Sequence, residues 1–350
     1  MTEDKGILIK NIYYMLTYAF QVLRQTNYEE IEAESFEEIQ DLFAAILAKG
    51  IDQQVKQGLY REYIPQKESM ALLRGKIDMQ GTIQNKLQHR QLIACEYDEL
   101  SENNLLNQIL KTTAMVLIES KGVKPVHKAA LKKPLLLFGD VDTIEPSSIR
   151  WNSLRINRNN KSYEMLMNIC YFVLDGLLQS TEAGKFRMAN FSDDHMARLF
   201  EKFVLEYYRY HHKELSANAS QIKWDLEEGT DEASIKYLPV MQTDITLRDK
   251  TRTLIIDTKY YKHTMQRQFD TYSYHSGNLY QIFTYVKNQD AKAFGNVSGM
   301  LLYAKTGESI TPDAEFMMGV NKISIKTLDL NRDFKEIAGQ LDKIAESYFS

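Results

Sequence analysis

The stretch TDITLRDKTRTLIIDTKYY, residues 243–261, predicts two paired strands with polar side chains gathered at one end. Side chains two residues apart on a strand share a face and stand about 6.6 Å from each other, so Asp257 and Lys259 point the same way and Thr258 points the opposite way. The short polar turn between the two runs favours antiparallel pairing, which brings Asp244 close to Asp257. We therefore expect two carboxylates and one ammonium to converge at the end of a central strand.

These three groups are typical of a divalent metal site. Two neighbouring carboxylates repel each other unless a cation lies between them, and oxygen ligands of this kind suit Mg²⁺. A protonated lysine is no metal ligand, so Lys259 would orient or help to deprotonate an attacking water, or neutralise charge on a phosphorus atom. The alternative is a structural ion pair at the end of a strand, which is a common arrangement.

Two helices near this stretch offer further polar side chains. Glu201 lies on a largely apolar helix face, where a carboxylate needs a partner. It either joins the metal shell or forms an ion pair with Arg198 at the rim. On the helix after the second strand, Gln281 and Tyr285 are four residues apart and share one face. They would position a water or contact a phosphate, or else form a pair at the edge of the core.

The order of these elements resembles the PD-(D/E)XK nuclease fold. A helix with Glu201, a strand with Asp244, a strand with the Asp-x-Lys motif and a helix with Gln-x-x-x-Tyr follow one another. Thr243 and Asp244 replace the proline and aspartate of the family motif, which is tolerable because only the acid binds metal. This resemblance favours a nuclease over a structural ion pair and implies a mixed central sheet flanked by helices.

Composition sets limits on the class of protein. The 350 residues suffice for two domains, and a hydrophobic share of 44% with 26% charged residues is ordinary for globular proteins. A net charge of -4 is not typical of a protein that binds nucleic acid unaided. Two cysteines are too few for a disulfide framework, which fits a reducing cytoplasm, and no apolar run approaches the roughly 18 residues of a membrane span.

The hydrophobic pattern predicts an α+β N-terminal domain over residues 1–160 and an α/β domain over residues 161–350. The first would hold an amphipathic helix in KNIYYMLTYAFQVL, a helix in SFEEIQDLFAAILAKG with Ser35 as N-cap and Gly50 as exit, three short strands within residues 59–97, and a helix from Ser101 to Gly122. The second would hold a helix, two strands, a helix, two strands and a final helix, and the first of these strands would span ASIKYLPVMQTDITL, residues 233–247.

Six segments follow one another along nearly the whole chain: KNIYYMLTYAF, LLRGKID, EYDELSENNLLNQILKTT, QTDITL, IIDTKYYK and SGNLYQIFTYV. Together and in this order they are similar to the McrC family, the nuclease subunits of McrBC-type modified-cytosine restriction systems. The resemblance implies an N-terminal domain that docks on a GTP-hydrolysing AAA+ ring of the McrB type and stimulates it, and a C-terminal endonuclease domain. It also implies that Asp244, Asp257 and Lys259 occupy the positions of the catalytic triad.

Four basic residues are candidates for contacts with partners. Arg74 and Lys76 flank Gly75 at a predicted turn and would reach into a motor pore, or else lie at a solvated hairpin tip. Lys262 and Arg267 follow the Asp-x-Lys motif in a basic and aromatic stretch that suits phosphates of double-stranded DNA.

Three functions follow from this reading. The first is a Mg²⁺-dependent endonuclease subunit of a GTP-driven restriction complex, with GTP bound by the partner because the chain has no GxxxxGK[ST] phosphate loop. The second is a subunit that bridges and activates the motor through an inactive nuclease-like fold. The third, a stand-alone structure-specific nuclease, is disfavoured by the net negative charge and the large N-terminal half.

Overall fold

The computed structural model describes residues 3–4, 7–20, 34, 36, 38–180, 193–227, 229–260, 266–268, 271–305 and 311–350. Within those ranges, no helix combines the length and the apolar character that crossing a bilayer requires.

The helices and strands are numbered here in chain order. The helices are α1 (Ile9–Phe20), α2 (Ile39–Gln57), α3 (Met79–Leu87), α4 (Leu105–Glu119), α5 (Pro125–Leu135), α6 (Tyr163–Ser180), α7 (Asp193–His211), α8 (Glu232–Ile235), α9 (Ser276–Gln289) and α10 (Phe334–Phe349). The strands are β1 (Glu3–Asp4), β2 (Ile7–Leu8), β3 (Glu62–Met70), β4 (Lys76–Ile77), β5 (Ile93–Ser101), β6 (Ser216–Asn218), β7 (Gln221–Ile222), β8 (Met241–Gln242), β9 (Ile245–Arg248), β10 (Thr253–Lys259), β11 (Gln266–Gln268), β12 (Thr271–Ser273), β13 (Val297–Ala304), β14 (Ala314–Met318) and β15 (Asn321–Leu328). Short 3-10 turns span Pro146–Ser148, Trp151–Ser153 and Arg158–Asn160.

The chain forms two compact units. The first contains Met1–Leu42 and Asn190–Ser350, and the second contains Phe43–Ala189. The boundary predicted at residue 160 lies inside the second unit, because α6 packs on α4 and its Tyr163 hydroxyl donates a 2.8 Å hydrogen bond to Asn107 Oδ1. The motor-docking and endonuclease roles attached to these parts of the chain remain predictions.

The amphipathic α1 packs in the first unit, against α7. Its predicted apolar face is buried, with Ile12, Met15, Leu16 and Ala19 each at most 2% exposed. The amide of Asn11 donates to the backbone carbonyls of Leu330 and Arg332, at 2.8 and 2.7 Å. Long-range packing of this kind groups the N-terminal helix with the C-terminal half of the chain.

A six-stranded mixed sheet forms the centre of the first unit, in the order β14-β15-β13-β10-β9-β6. β10 and β13 are parallel, as are β13 and β15, whereas the other neighbouring pairs are antiparallel. The helix α9 connects the parallel strands β10 and β13 and packs on both. The predicted mixed sheet with flanking helices is therefore present, and β10 is central as expected, with five of its seven residues buried.

Close contact between α9 and the sheet depends on a glycine in β13. A Cβ on Gly299 would lie 2.8 Å from Ile282 Cγ1 and 2.8 Å from Val286 Cγ2. Ile282 and Val286 are both 0% exposed and belong to the apolar cluster between helix and sheet. The missing side chain lets α9 approach the sheet closely, and this fixes the polar groups that α9 carries at its other positions.

The second unit contains the three-stranded antiparallel sheet β3-β5-β4 and the helices α3 to α6. Two predicted helix ends are wrong here. α2 continues through Gly50 to Gln57, because Gly50 faces Leu166 of α6 so closely that a Cβ would lie 2.2 Å from Leu166 Cδ2. α4 begins at Leu105, where Asn104 rather than Ser101 accepts the capping hydrogen bond, and it ends at Glu119. Ser35, the predicted cap of α2, lies outside the described residues.

Several predicted strands are also wrong. Within residues 233–247, the first part forms α8 and a turn, and only β8 and β9 are extended. Residues 71–75 form a bend rather than a strand. The short strand β4 follows the bend, and then the helix α3, which is capped by Asp78. The edge strands β6 and β14 were not predicted. β6 has only three residues and most of β14 is exposed, so neither shows a hydrophobic periodicity that the sequence could reveal.

Candidate functional site

The antiparallel register of β9 and β10 sets the position of the first two acids. Ile245 pairs with Ile256 as the last pair of the ladder, so Asp244 and Asp257 are the next residues outward on each strand. This register brings the two acids close together as predicted, because Asp244 Oδ2 accepts a 2.7 Å hydrogen bond from the backbone N–H of Thr258, the residue after Asp257. The hairpin therefore places two carboxyl groups at one end of the sheet.

Asp257 is a buried acid, only 1% exposed. Burial raises the pKa of Asp257 to about 6, the charge of Asp244 adds to the rise, and Lys259 opposes it. The Lys259 ammonium lies 2.7 Å from Asp257 Oδ2. Nevertheless, Oδ2 accepts no well-directed hydrogen bond from the described residues. A buried carboxylate oxygen in this state has capacity for a further cationic partner.

Asp244 is held in place by Thr258. Its Oδ2 accepts hydrogen bonds from the Thr258 backbone N–H, at 2.7 Å, and from the Thr258 hydroxyl, at 2.8 Å. The ladder between β9 and β10 ends at Ile256, two residues before Thr258, so the carboxylate replaces a strand carbonyl as the acceptor for the Thr258 N–H. Both described hydrogen bonds fall on Oδ2, which leaves Oδ1 for another partner. Thr258 was expected only to point away from the site, and its role was missed.

Lys259 is oriented by a chain of side chains on α9. Its ammonium donates to Gln281 Oε1 at 3.3 Å, and Gln281 Nε2 donates to the Tyr285 hydroxyl at 3.0 Å. The Tyr285 hydroxyl in turn donates to the backbone carbonyl of Gln242 at 3.1 Å. The predicted pair Gln281 and Tyr285 thus joins the site rather than only the edge of the core. Gln242 takes part through its backbone, which leaves no signal in a sequence.

Glu201 adds a third acid from α7. Burial raises the pKa of Glu201 to about 7, and the charges of Asp244 and Asp257 contribute to the rise. The charges of Lys259 and Arg198 oppose it, Arg198 least. No ion pair joins Glu201 to Arg198 among the described contacts, and Arg198 is exposed. These interactions favour the prediction that Glu201 belongs with Asp244 and Asp257 over the alternative that it pairs with Arg198 at the rim.

Comparison with known proteins places the chain in a family. The model of the McrBC 5-methylcytosine restriction system component matches residues 3–304. The chain belongs to this family. It is also 28% identical over 349 residues to the type IV methyl-directed restriction enzyme EcoKMcrBC of Escherichia coli strain K12, and this match covers 99% of each protein.

Two solved assemblies from Thermococcus gammatolerans contain similar chains. One is a half-complex of McrB AAA+ hexamers with bound McrC, with a TM-score of 0.47 and 17% identity over 96% of this chain and 76% of that chain. The other is a McrBC complex, with a TM-score of 0.39 and 19% identity over 57% of this chain and 56% of that chain.

In this McrBC family member, Asp244 and Asp257 offer oxygen atoms of the kind that a hard divalent cation takes as ligands. Carboxylate oxygens are the ligands that Mg²⁺ prefers. Asp257 contributes the buried Oδ2, whose described partner is the Lys259 ammonium, and Asp244 contributes Oδ1. Burial first, and the neighbouring negative charges second, raise the pKa values of Asp257 and Glu201, and a cation bound between the carboxylates would favour their charged forms.

The other predicted contact residues belong to the second unit or cannot be placed. Arg74 and Lys76 are exposed at the bend between β3 and β4, where the Arg74 guanidinium lies 4.0 Å from the centre of the Tyr97 ring. Lys262 lies outside the described residues. Arg267 lies on β11, and nothing beyond its backbone is described.

Proposed function

We propose that this McrBC family member is the endonuclease subunit of a modified-cytosine restriction complex and hydrolyses DNA phosphodiesters with Mg²⁺. The observation that carries the proposal is the convergence of Asp244, Asp257 and Lys259 at one end of the central sheet. A structural ion pair needs only Asp257 and Lys259. It does not account for a second acid, Asp244, held by two hydrogen bonds next to a buried carboxylate.

In this proposal the residues of the site have separate roles. Asp244 and Asp257 hold the metal, with Glu201 as a further carboxylate in its shell. Mg²⁺ bound there would polarise the phosphate and lower the pKa of a bound water. The Gln281 and Tyr285 chain orients Lys259, whose ammonium neutralises charge on the phosphorus and orients the attacking water.

We further propose that the chain works in the cytoplasm with an AAA+ GTPase ring of the McrB type. The sequence has no phosphate-binding loop of its own, so GTP hydrolysis falls to the partner. The similar chain from Thermococcus gammatolerans is described as McrC bound to McrB hexamers, which supports this choice of partner.

The test is a reconstituted complex with the motor subunit, GTP, Mg²⁺ and methylated duplex DNA. Asp244→Ala and Lys259→Ala should each abolish cleavage while motor binding and stimulation of the GTPase stay at the wild-type level. Asp225→Ala, which removes an exposed acid from the same unit, should cut normally. Cleavage by either site variant would refute the assignment.

A further inference from the structure

Positive charge is concentrated in one part of an acidic chain. Residues 121–161 contain nine Lys and Arg against three Asp and Glu, whereas the whole protein has a net charge of -4. Within this range, residues 146–161, here called the basic loop, hold four basic residues and no acid: Arg150, Arg155, Arg158 and Lys161. All four are exposed. Like charges placed together repel each other, so this arrangement costs stability unless an anion binds.

The four cations have no acidic partner among the described residues. This distinguishes them from those basic residues of the same unit that are paired with an acid. Lys56 lies 2.6 Å from Asp52, and Arg61 donates to Glu102 at 2.7 Å. The basic loop therefore leaves its charges available to a ligand from outside the chain.

The backbone of the basic loop is held by its buried side. Ile149 and Asn160 are 8% and 2% exposed, and the Trp151 ring packs on Tyr171 of α6 with 4.7 Å between the ring centres. Asn157 caps the last 3-10 turn, and Asn160 accepts a 2.7 Å hydrogen bond from the Asn157 backbone N–H. The exposed cations thus extend from a fixed frame, and a ligand would not have to order the backbone on binding.

Spacing and composition favour phosphates over a protein surface as the ligand. Arg158 and Lys161 lie three residues apart across the 3-10 turn, so they project on the same side about 6 Å from each other. Duplex DNA offers a row of such charges, with one per roughly 1.7 Å of helix axis. A protein interface would need apolar or aromatic anchors. The one large apolar residue of the basic loop that is exposed in the described structure is Ile156, at 37%.

We propose that the basic loop binds the phosphate backbone of double-stranded DNA, as a substrate contact in the unit that does not carry Asp257. The inference rests on the proposed function for its choice of polyanion. It does not depend on the catalytic residues, so the two can fail separately.

The test measures binding of the full-length chain to a fluorescent duplex by anisotropy, in EDTA and over a series of salt concentrations from 50 mM upward. The variant Arg150→Gln/Arg155→Gln/Arg158→Gln removes three unpaired cations. The matched control Lys56→Gln/Arg61→Gln/Lys67→Gln removes three cations from the same unit that are paired with Asp52, Glu102 and Glu96. Both variants change the net charge equally, and thermal melting checks that both fold.

We expect the basic-loop variant to bind at least tenfold more weakly, with a salt slope smaller by about three, because each phosphate contact contributes about 0.9 to that slope. The control should bind like the wild type. The inference is overturned if both variants lose DNA affinity equally, if the salt slope of the basic-loop variant is unchanged, or if the wild type does not bind DNA. It is also overturned if the basic-loop variant loses motor binding while its DNA binding stays intact. If the Asp257→Asn variant binds DNA as tightly as the wild type, the inference stands, whether or not that variant cuts. If Asp257→Asn also cuts like the wild type, the proposed function fails while the basic loop stands.

Discussion

Replacing Asp257 by Asn should stabilise the protein when no metal is present. The carboxyl is 1% exposed, and its pKa rises from 3.8 to about 6, so its charged form is disfavoured in the folded state. This rise in the pKa of Asp257 corresponds to about 3 kcal/mol, which is an upper limit because Lys259 loses its partner in the variant.

The pH dependence follows from the direction of the shift. A carboxyl whose folded pKa is raised binds its proton more tightly in the folded state, so the wild type loses stability as pH rises from about 3.8 to about 6. Above that range the loss is complete, and below it there is none. The advantage of Asp257→Asn should thus be largest at pH 7.5 and vanish near pH 4.

The assay is thermal melting in EDTA at pH 4, 5, 6 and 7.5, where about 1 kcal/mol corresponds to roughly 2–4 °C in Tm for a domain of this size. Asp225→Asn makes the same charge change at an exposed site and should show no such trend. Mg²⁺ at about 100 times its Kd should add about 2.7 kcal/mol to the wild type alone and close the gap. A variant that melts below the wild type at pH 7.5, or a gap that is independent of pH, would refute the reasoning.

Two further substitutions test how the site is positioned. Thr258→Val removes the hydroxyl hydrogen bond to Asp244 but keeps the backbone one, so the rate of single-turnover cleavage by the complex should fall about tenfold. Thr258→Ser keeps the hydroxyl and should cleave at the wild-type rate. Equal cleavage rates for the Val and Ser variants would argue against a role for this hydrogen bond. Gly299→Ala forces a Cβ to within 2.8 Å of Ile282 and should cost about 1–3 kcal/mol in urea unfolding. Gly339→Ala, on α10 with no atom within 4 Å of its Cβ, should instead stabilise by up to about 1 kcal/mol, and a loss there as large as at Gly299 would contradict the packing argument.

The parts of the site that the sequence predicts are those fixed by local geometry. A short turn and a two-residue period suffice to bring Asp244 near Asp257 and to aim Lys259 with it. Helical spacing likewise places Gln281 and Tyr285 on one face. Each of these relations spans fewer than about twenty residues or depends on a regular repeat.

The features that were missed depend on contacts between distant segments. Gly50 was predicted to end its helix because glycine is common at helix ends, whereas its actual role is to allow close packing against Leu166 of α6. The strand pattern places the Thr258 side chain away from the site, and it does not reveal that Asp244 accepts hydrogen bonds from the Thr258 backbone N–H and hydroxyl. The grouping of α1 with the C-terminal half depends on its packing on α7, far along the chain. Periodicity carries no record of such partners, since they meet only after folding.

The parallel pairing of β10 with β13 has a consequence for biosynthesis. The β9 and β10 hairpin joins adjacent segments and can form as soon as both have left the ribosome, whereas Lys259 pairs with Tyr303 across a crossover through α9. Contacts between such separated segments form late. A nascent chain therefore carries its two acids before it has the helix that orients the lysine, so the proposed nuclease site stays incomplete until translation has passed β13.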